Sequence, residues 1–392
     1  MKLFVVSAVA GLIFSLAGTT PAHEGKTESQ PGQKIERSMP VSPQVTVTLC
    51  VSSGTLTVRG WERNELRVRS ADAGQIELRR LDKAKDPTAP ATRIDVMVLD
   101  HGPRVNPRLD CQALADITME VPAGATVQVQ TRDGDISIAG VSAVYAGSQN
   151  GNIAIERAVT IIEAGSVGGS ISLKESSGRV NLSSAGGIVE VANVKPTNGG
   201  DSFEVGTVSG DIQLDRVSNP KVMAKTVNGT VTMTGPLARS GQYAFTNMTG
   251  DVVLGLPHDA SFQLNAKVSE KRDIVSDFAL KYIEPPPPPP PISTAPKPGP
   301  AGTPGPAVAP GPSAKPGTPS KPGAEAKVSP PAPPKTPVAK GHPPQKSGPI
   351  IVVDTQPIVT PYLLRRVQAI CGTGDATISV ASFGGTVRLK KL

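Results

Sequence analysis

The sequence predicts an all-β fold, a β-solenoid-like stack of strand–turn–strand repeats. The main observation is a recurring unit, Gly-x-[Ile/Val/Leu]-x-[Ile/Val/Leu/Met], whose glycines are separated by about nine or about eighteen to twenty-three residues. Asn, Asp, Ser or Thr often precedes the glycine, and aromatic residues make up only 3% of the chain. The turn glycines of the clearest copies are Gly134, Gly151, Gly169, Gly178, Gly187, Gly210, Gly229, Gly250 and Gly385.

Each copy combines a tight turn with a short amphipathic strand. Glycine accepts a positive φ and its polar neighbour can bond its own backbone, so the pair favours a turn. The two apolar side chains that follow lie on one face, while the residues between them face water. One unit cannot bury this apolar stripe, whereas stacked units bury a continuous core. A β-meander or β-sandwich is the alternative, because Asn150-Gly151 and Asn228-Gly229 are also good hairpin turns.

Period-two alternation of apolar residues predicts further strands upstream of the repeats. Three of them precede a charged stretch at 82–90 and one follows it. The predicted β-repeat domain as a whole spans residues 40–284. The strands are predicted at 45–49, 54–58, 65–69 and 93–98.

The amino terminus predicts a secretory signal peptide over residues 1–22, followed by a flexible polar leader over 23–39. Lys2 precedes an apolar run from Leu3 to Ala17, and small residues follow it. This run is shorter than the roughly twenty residues that span a bilayer, and no later stretch could form a transmembrane span. We therefore expect an exported bacterial protein in the periplasm, at the cell surface or outside the cell.

The composition changes abruptly at residues 285–349, which are rich in Pro, Lys and Gly. Such a segment cannot form a core, and we expect a disordered linker with polyproline II character. It holds seven lysines and a single acid, Glu325, so most of the formal charge of +7 resides there. A nucleic-acid-binding fold is not expected, since the arginines elsewhere are scattered and lack interleaved aromatics. Residues 350–392 regain β character and are expected to supply the closing rung.

Three cysteines in an exported chain permit one disulfide and leave one thiol over. Cys50 and Cys111 both lie in the amino-terminal β region, so they form the predicted pair. The alternative is three buried, reduced thiols. A zinc or redox site is not supported, because no Cys-x-x-Cys motif occurs.

No motif of a catalytic or metal centre is present, and we expect neither an enzyme nor a cofactor. The histidines show no triad or zinc pattern. Turn aspartates could bind calcium between repeats, but they alternate with Asn, Ser, Arg and Thr, which favours water-facing turn residues. They are Asp135, Asp211, Asp251 and Asp375.

Several short motifs occur along the chain in a characteristic order. They include repeated Ser/Asp-Gly-Asp-Ile elements and the segments at 60–68, 117–125, 254–262 and 382–390. Together they resemble the bacterial putative-adhesin family of secreted β-repeat proteins, over residues 45–267 and the final twenty. The resemblance implies a right-handed solenoid-like domain, an exported location and no known catalytic residues. The proline-rich segment departs from the family pattern.

These observations predict a non-enzymatic interaction or adhesion protein of the bacterial envelope, with an envelope protein or glycan as partner. One alternative is a polysaccharide-acting β-helix enzyme, which needs clustered acids on one solvent face. Trp61, the single tryptophan, is expected to pack in the first β segment rather than to stack on sugars. A second alternative is an envelope spacer or scaffold in which residues 285–349 are the working part. The oligomeric state is not indicated.

Overall fold

The computed structural model describes residues 34–82, 89–99, 111, 113–269, 273–283 and 364–392. The predicted signal peptide, most of the predicted leader and the predicted linker lie outside these ranges. Within them the chain forms strands and no helix. The chain divides into two compact units, which meet in sequence between Arg179 and Val180.

Unit 1 consists of short strands. They are β1 (Ile35–Val51), β2 (Leu56–Trp61), β3 (Glu65–Ser70), β4 (Gln75–Arg80), β5 (Ala91–Leu99), β6 (Ile117–Pro122), β7 (Thr126–Thr131), β8 (Ile136–Ala139), β9 (Ala143–Ser148), β10 (Ile153–Glu156), β11 (Ile161–Ser166) and β12 (Ile171–Lys174).

Unit 2 contains the remaining strands, the first of which begins at the border residue. They are β13 (Arg179–Ser184), β14 (Val189–Val194), β15 (Ser202–Ser209), β16 (Ile212–Val217), β17 (Lys221–Asn228), β18 (Val231–Thr234), β19 (Gln242–Thr249), β20 (Val252–Leu256), β21 (Phe262–Ser269), β22 (Ile274–Ser276), β23 (Lys281–Ile283), β24 (Leu364–Cys371), β25 (Ala376–Ser382) and β26 (Val387–Lys391).

Each unit is a β-solenoid, as the sequence predicts. The repeating strands alternate between two sheets, which we call sheet A and sheet B. From β7 to β12 in unit 1 and from β13 to β20 in unit 2, strands two positions apart along the chain pair in parallel, as β8 does with β10 and β15 with β17. A meander would pair consecutive strands antiparallel, so the pairing excludes the meander alternative. We call one strand of sheet B, its turn and the next strand of sheet A a rung.

The register stacks like residues on like residues. In sheet A of unit 1, Leu56 pairs with Ile136, Ile136 with Ile153, and Ile153 with Ile171. All four side chains are buried. The predicted alternation is thus confirmed, because the residues two and four positions after each turn glycine line the core while those between them do not. The largest buried side chains of unit 2 are Tyr243, Phe203, Phe245 and Phe262.

The first rung of unit 1 is out of sequence order. The carboxyl half of β1 lies between β5 and β7, and β2 lies between β6 and β8. The amino half of β1 pairs antiparallel with β3, from Ile35 to Pro40. The predicted leader over 23–39 therefore extends too far, because residues 35–39 continue β1 and pair with β3, a partner that local patterning does not indicate.

The carboxyl-terminal segment also joins its unit out of order. In sheet B, β25 pairs in parallel with both β19 and β21, and in sheet A, β26 pairs with both β20 and β22. Residues 376–391 are therefore an interior rung, not the closing one expected from sequence. Beyond this rung lie β21 and β22, and the antiparallel strands β24 and β23 extend sheet B further.

Candidate interaction surface

The turn glycines form a vertical stack in each unit. A Cβ added at Gly151 would overlap the carbonyl oxygen of Gly134, and one at Gly169 would overlap that of Gly151. In unit 2 the same holds for Gly210 over Gly187 and for the glycines above it, Gly229, Gly250 and Gly385. Close approach of backbone to backbone, rather than φ alone, requires glycine here.

Gly178 belongs to the opposite corner of its rung. A Cβ there would meet the carbonyl oxygen of Thr160, and its φ is +99°. The sequence spacing of nine residues on either side of Gly178 thus marks half a rung, whereas the spacings of seventeen to twenty-three mark full rungs. From the sequence, a positive φ is expected at every turn glycine. Among the stacked glycines, only Gly54, Gly229 and Gly250 have one.

In each unit, buried polar side chains that were not predicted from the sequence accompany the stack, three residues before each stacked glycine from Gly134 onward. In unit 1, the N–H of Gly151 donates to the Oγ of Ser148 at 2.8 Å, and this Oγ donates to the carbonyl of Gly134 at 3.3 Å. In unit 2, the Nδ2 of Asn247 donates to the carbonyl of Gly229 at 2.8 Å. These side chains are Thr131, Ser148, Ser166, Ser184, Thr207, Thr226, Asn247 and Ser382, all buried.

The turn aspartates bond the backbone of the next rung. Asp135 accepts the N–H of Asn152 at 2.7 Å, and Asp211 accepts that of Thr230 at 2.7 Å. Asp251 accepts the N–H of Thr386 at 2.8 Å, across 135 residues of sequence. These carboxylates therefore serve rung-to-rung cohesion. In the described residues no group of three or more His, Cys, Asp or Glu is placed to hold a metal ion.

Cys50 and Cys111 form a disulfide in the structure, with their Cα atoms 4.7 Å apart. It closes a loop of 61 residues, and in the chain-entropy model such a loop stabilises the fold by about 4 kcal/mol. Cys371 is a free thiol whose pKa is raised by burial. Its Sγ lies 3.5 Å from the carbonyl oxygen of Ala260.

Trp61 is engaged by its own segment. Its indole N–H donates to the carbonyl oxygen of Glu65 at 2.8 Å. The guanidinium groups of Arg63 and Arg67 lie 5.2 and 4.8 Å from the ring centroid. The ring face is thus covered by cations, which leaves little room for a stacked sugar.

One cleft of unit 2, of about 230 Å³, collects two acids and one base. Arg239 lines it from one side, Asp259 from the turn after β20 and Asp375 from the turn before β25. Asp375 accepts a hydrogen bond from the hydroxyl of Thr373 at 2.8 Å. No ion pair joins Arg239 to either carboxylate. The exposed His258 adjoins Asp259 in the same turn. His23, His101 and His342 lie outside the described residues.

The outward face of sheet A in unit 2 carries acids that have partners. Asp251 pairs with Arg388 at 3.5 Å. Asp215 pairs with Arg216 at 2.7 Å and accepts the hydroxyl of Thr234 at 2.8 Å. These two acids are therefore engaged within the unit, whereas Glu190 and Lys390 on the same face form no ion pair with any described residue.

The outward face of sheet B in unit 2 is instead cationic, and we call it the basic face. Among the described residues, its cations are Lys221, Lys225, Lys267, Lys281 and Arg366, against one carboxylate, Glu204. None of the five cations forms an ion pair with any residue that the structure describes. Between them lie two large apolar side chains, Met223 and Ile370, and otherwise small or polar ones: Gln242, Ala244, Thr246, Gln263, Asn265, Gln368, Thr377, Ser379 and Ala381.

Two cations of the basic face stand directly opposite each other. Lys267 on β21 pairs in register with Arg366 on the antiparallel strand β24, and both are exposed. Like charges at such a position destabilise a sheet. Lys281 lies on β23, the next strand. Two like charges thus stand opposite each other, and no contact in the described part of the chain compensates for their repulsion. Such unfavourable placements are typical of functional positions.

Comparison with known proteins agrees with this architecture. Residues 115–279 match the family described as Toastrack DUF4097. The matched segment contains three cations of the basic face, Lys221, Lys225 and Lys267, while Lys281 and Arg366 lie beyond it. The interior rung supplied by residues 376–391 lies outside the Toastrack match as well.

A search of solved structures finds similarity to the crystal structure of a putative cell adhesion protein from Clostridium sporogenes ATCC 15579. The identity is 8%, the match covers 92% of this chain and 100% of that chain, and the TM-score is 0.17. A TM-score this low supports no inference. A search of curated proteins finds no significant match. Among the residues that the structure describes, no helix could cross a bilayer.

Proposed function

We propose that the protein is an exported, non-enzymatic β-solenoid of the bacterial envelope that binds an envelope protein or glycan. One observation carries the proposal: the polar groups repeated in every rung are used for cohesion, while the cations of the basic face have no partner in the described chain. Because the polar side chains at the turns form hydrogen bonds to the backbone of neighbouring rungs, the outward faces of the sheets are the surfaces that remain for binding. Export is supported by the predicted signal peptide and is consistent with a disulfide between Cys50 and Cys111.

Binding to the envelope can be measured with the purified chain from residue 23 onward. Labelled protein is added to washed cells of the source bacterium. We expect saturable binding that the unlabelled protein displaces. The control is the Gly229→Ala variant, in which a Cβ would overlap the carbonyl oxygen of Gly210 and disrupt unit 2. Absence of saturable binding, or equal binding by the control, would contradict the proposal.

The cleft at Arg239, Asp259 and Asp375 favours a second candidate, a polysaccharide-acting enzyme. Two carboxylates flanking a bond are the usual machinery of glycoside hydrolysis. The decisive assay measures the reducing ends released from a panel of envelope glycans by the wild type and by the double variant Asp259→Asn, Asp375→Asn. We expect no release by either protein. Release by the wild type that the double variant abolishes would replace the proposal with the enzyme.

A spacer role for residues 285–349 is a third candidate, from the sequence alone. Those residues lie outside the described ranges, between β23 and β24. Deletion of 285–349 distinguishes the two roles, because we expect binding to cells to be retained without them. Loss of binding with the β-solenoid intact would make the segment the working part.

A further inference from the structure

The positive charge of the basic face and its extended, flat shape favour one class of partner. We propose that this face of unit 2 binds an anionic polysaccharide, through Lys225, Lys267 and Arg366 as the central contacts. The inference rests on the proposed function and names the chemistry of the partner.

The layout of the cations defines an extended site. Lys221 and Lys225 lie four residues apart on β17, about 13 Å along the strand. From β17 to β23 the sheet runs through β19, β25, β21 and β24, and five strand spacings span about 24 Å. Charges spread over such a distance suit a polymer that carries many separate carboxylates or sulfates, rather than one small anion.

The rest of the face argues against other polyanions. Single-stranded nucleic acid usually stacks its bases on aromatic side chains, and the outward positions of β17, β19, β25 and β21 carry none. An anionic lipid surface would favour exposed, bulky apolar side chains. Among the described residues of the basic face, Ile283 on the edge strand β23 is the one strongly exposed large apolar residue, because its neighbour Tyr282, 64% exposed, lies on the opposite face of that strand. Small polar side chains with hydroxyl and amide groups instead suit the hydroxyl groups of sugars.

The exposed like-charge pair is the part of the site that folding does not explain. Lys267 and Arg366 repel each other in the free protein, and a bound carboxylate or sulfate between them would turn that repulsion into two charge-assisted contacts.

The test uses the full mature chain and polygalacturonate as the polyanionic probe, with dextran as the neutral control. The triple variant Lys225→Gln, Lys267→Gln, Arg366→Gln should bind polygalacturonate about tenfold more weakly or worse. Its slope of log affinity against log salt should be smaller by about two, since fewer counterions are released. The matched control, Lys174→Gln, Lys195→Gln, Lys390→Gln, removes three exposed lysines that do not lie on the basic face and should bind like the wild type.

Several outcomes would overturn the inference. Equal weakening by both triple variants would show non-specific charge attraction. No binding to polygalacturonate, or tighter binding to phosphatidylglycerol vesicles or to DNA, would exclude an anionic polysaccharide as the partner class. If washed cells bind the face variant as well as the wild type, the proposed envelope role survives and only the site is wrong. If cells bind neither protein, the proposed function fails as well.

Discussion

Ser148 and Gly151 form a buried hydrogen bond inside the β-solenoid, in which the Gly151 N–H donates to the Ser148 Oγ at 2.8 Å. The same hydroxyl donates to the carbonyl oxygen of Gly134 on the neighbouring rung. One buried hydroxyl therefore satisfies a donor and an acceptor that the glycine stack would otherwise leave without partners. This explains how a flat column of glycines, which has no side chains to pack, is held in register.

Removal of this hydroxyl should destabilise unit 1. Ser148→Ala leaves a buried N–H and a buried carbonyl each short of one partner, at a cost of about 1–3 kcal/mol. Ser137→Ala, on the exposed face of β8, should change stability by less than about 0.5 kcal/mol. Urea unfolding of both variants measures the difference. A cost for Ser148→Ala no larger than for Ser137→Ala would show that the buried hydroxyl contributes nothing.

The glycine stack should be intolerant of a single methyl group. In Gly151→Ala the added Cβ meets backbone, which cannot move aside, and we expect a loss of about 3 kcal/mol or more. Gly199→Ala is the matched control, because a Cβ there has nothing within 4 Å. Thermal unfolding of the two variants compares them. Equal melting temperatures would contradict the stacking.

A third corner of the rungs carries non-glycine residues in the left-handed region, among them Glu175 at φ 49°. This conformation costs an L-residue about 1–2 kcal/mol. A glycine avoids that strain but loses about 0.5–1 kcal/mol of stability, because it is more flexible in the unfolded chain. Glu175→Gly should therefore stabilise unit 1 by about 0.5 kcal/mol. Lys174→Gly, one residue earlier on β12, should destabilise it. Denaturant titrations of the two variants check for opposite signs.

Asp82 gives unit 1 a measurable acid response. A hydrogen bond from Arg80, followed by one from the backbone N–H of Thr92, lowers its pKa to about 2. A depressed carboxyl pKa stabilises the fold above the ordinary value near 3.8, and this stabilisation is lost as the pH falls towards 2. Carboxyl NMR titration should show a midpoint near pH 2 for the wild type. Thr92→Val, which lacks the hydroxyl bonded to Asp82, should raise it. A wild-type midpoint near 4 would contradict the contact.

Local periodicity predicts the strands and the stack, because a turn glycine and two inward aliphatic side chains are sufficient to define each copy. The buried polar residues at Ser148 and its equivalents had a signal, a Ser, Thr or Asn three residues before each stacked glycine from Gly134 onward. It was missed because short polar residues beside a turn usually face water. The basic face was not predictable, since Lys267 and Arg366 are 99 residues apart in sequence and only strand pairing brings them together.

Rung order was also beyond the reach of local patterns. The sequence places β21 directly after β20, so that β19 and β21 would be neighbours in sheet B. The structure puts β25 between them, from a segment more than a hundred residues further on. Parallel partners are selected by side-chain complementarity along the whole strand, and no short window of sequence contains both strands.

The most direct test of the account is cross-linking of β19 to β25 in a Cys371→Ser background. Thr246 and Ala381 are in-register partners on adjacent strands, so their Cα atoms lie about 4.8 Å apart, within disulfide range. Thr246→Cys with Ala381→Cys should therefore form a disulfide on oxidation. Thr246→Cys with Lys267→Cys, two strand spacings apart, should not. A disulfide in the second pair and none in the first would mean that the rungs follow sequence order, and the interior position of the carboxyl-terminal rung would be wrong.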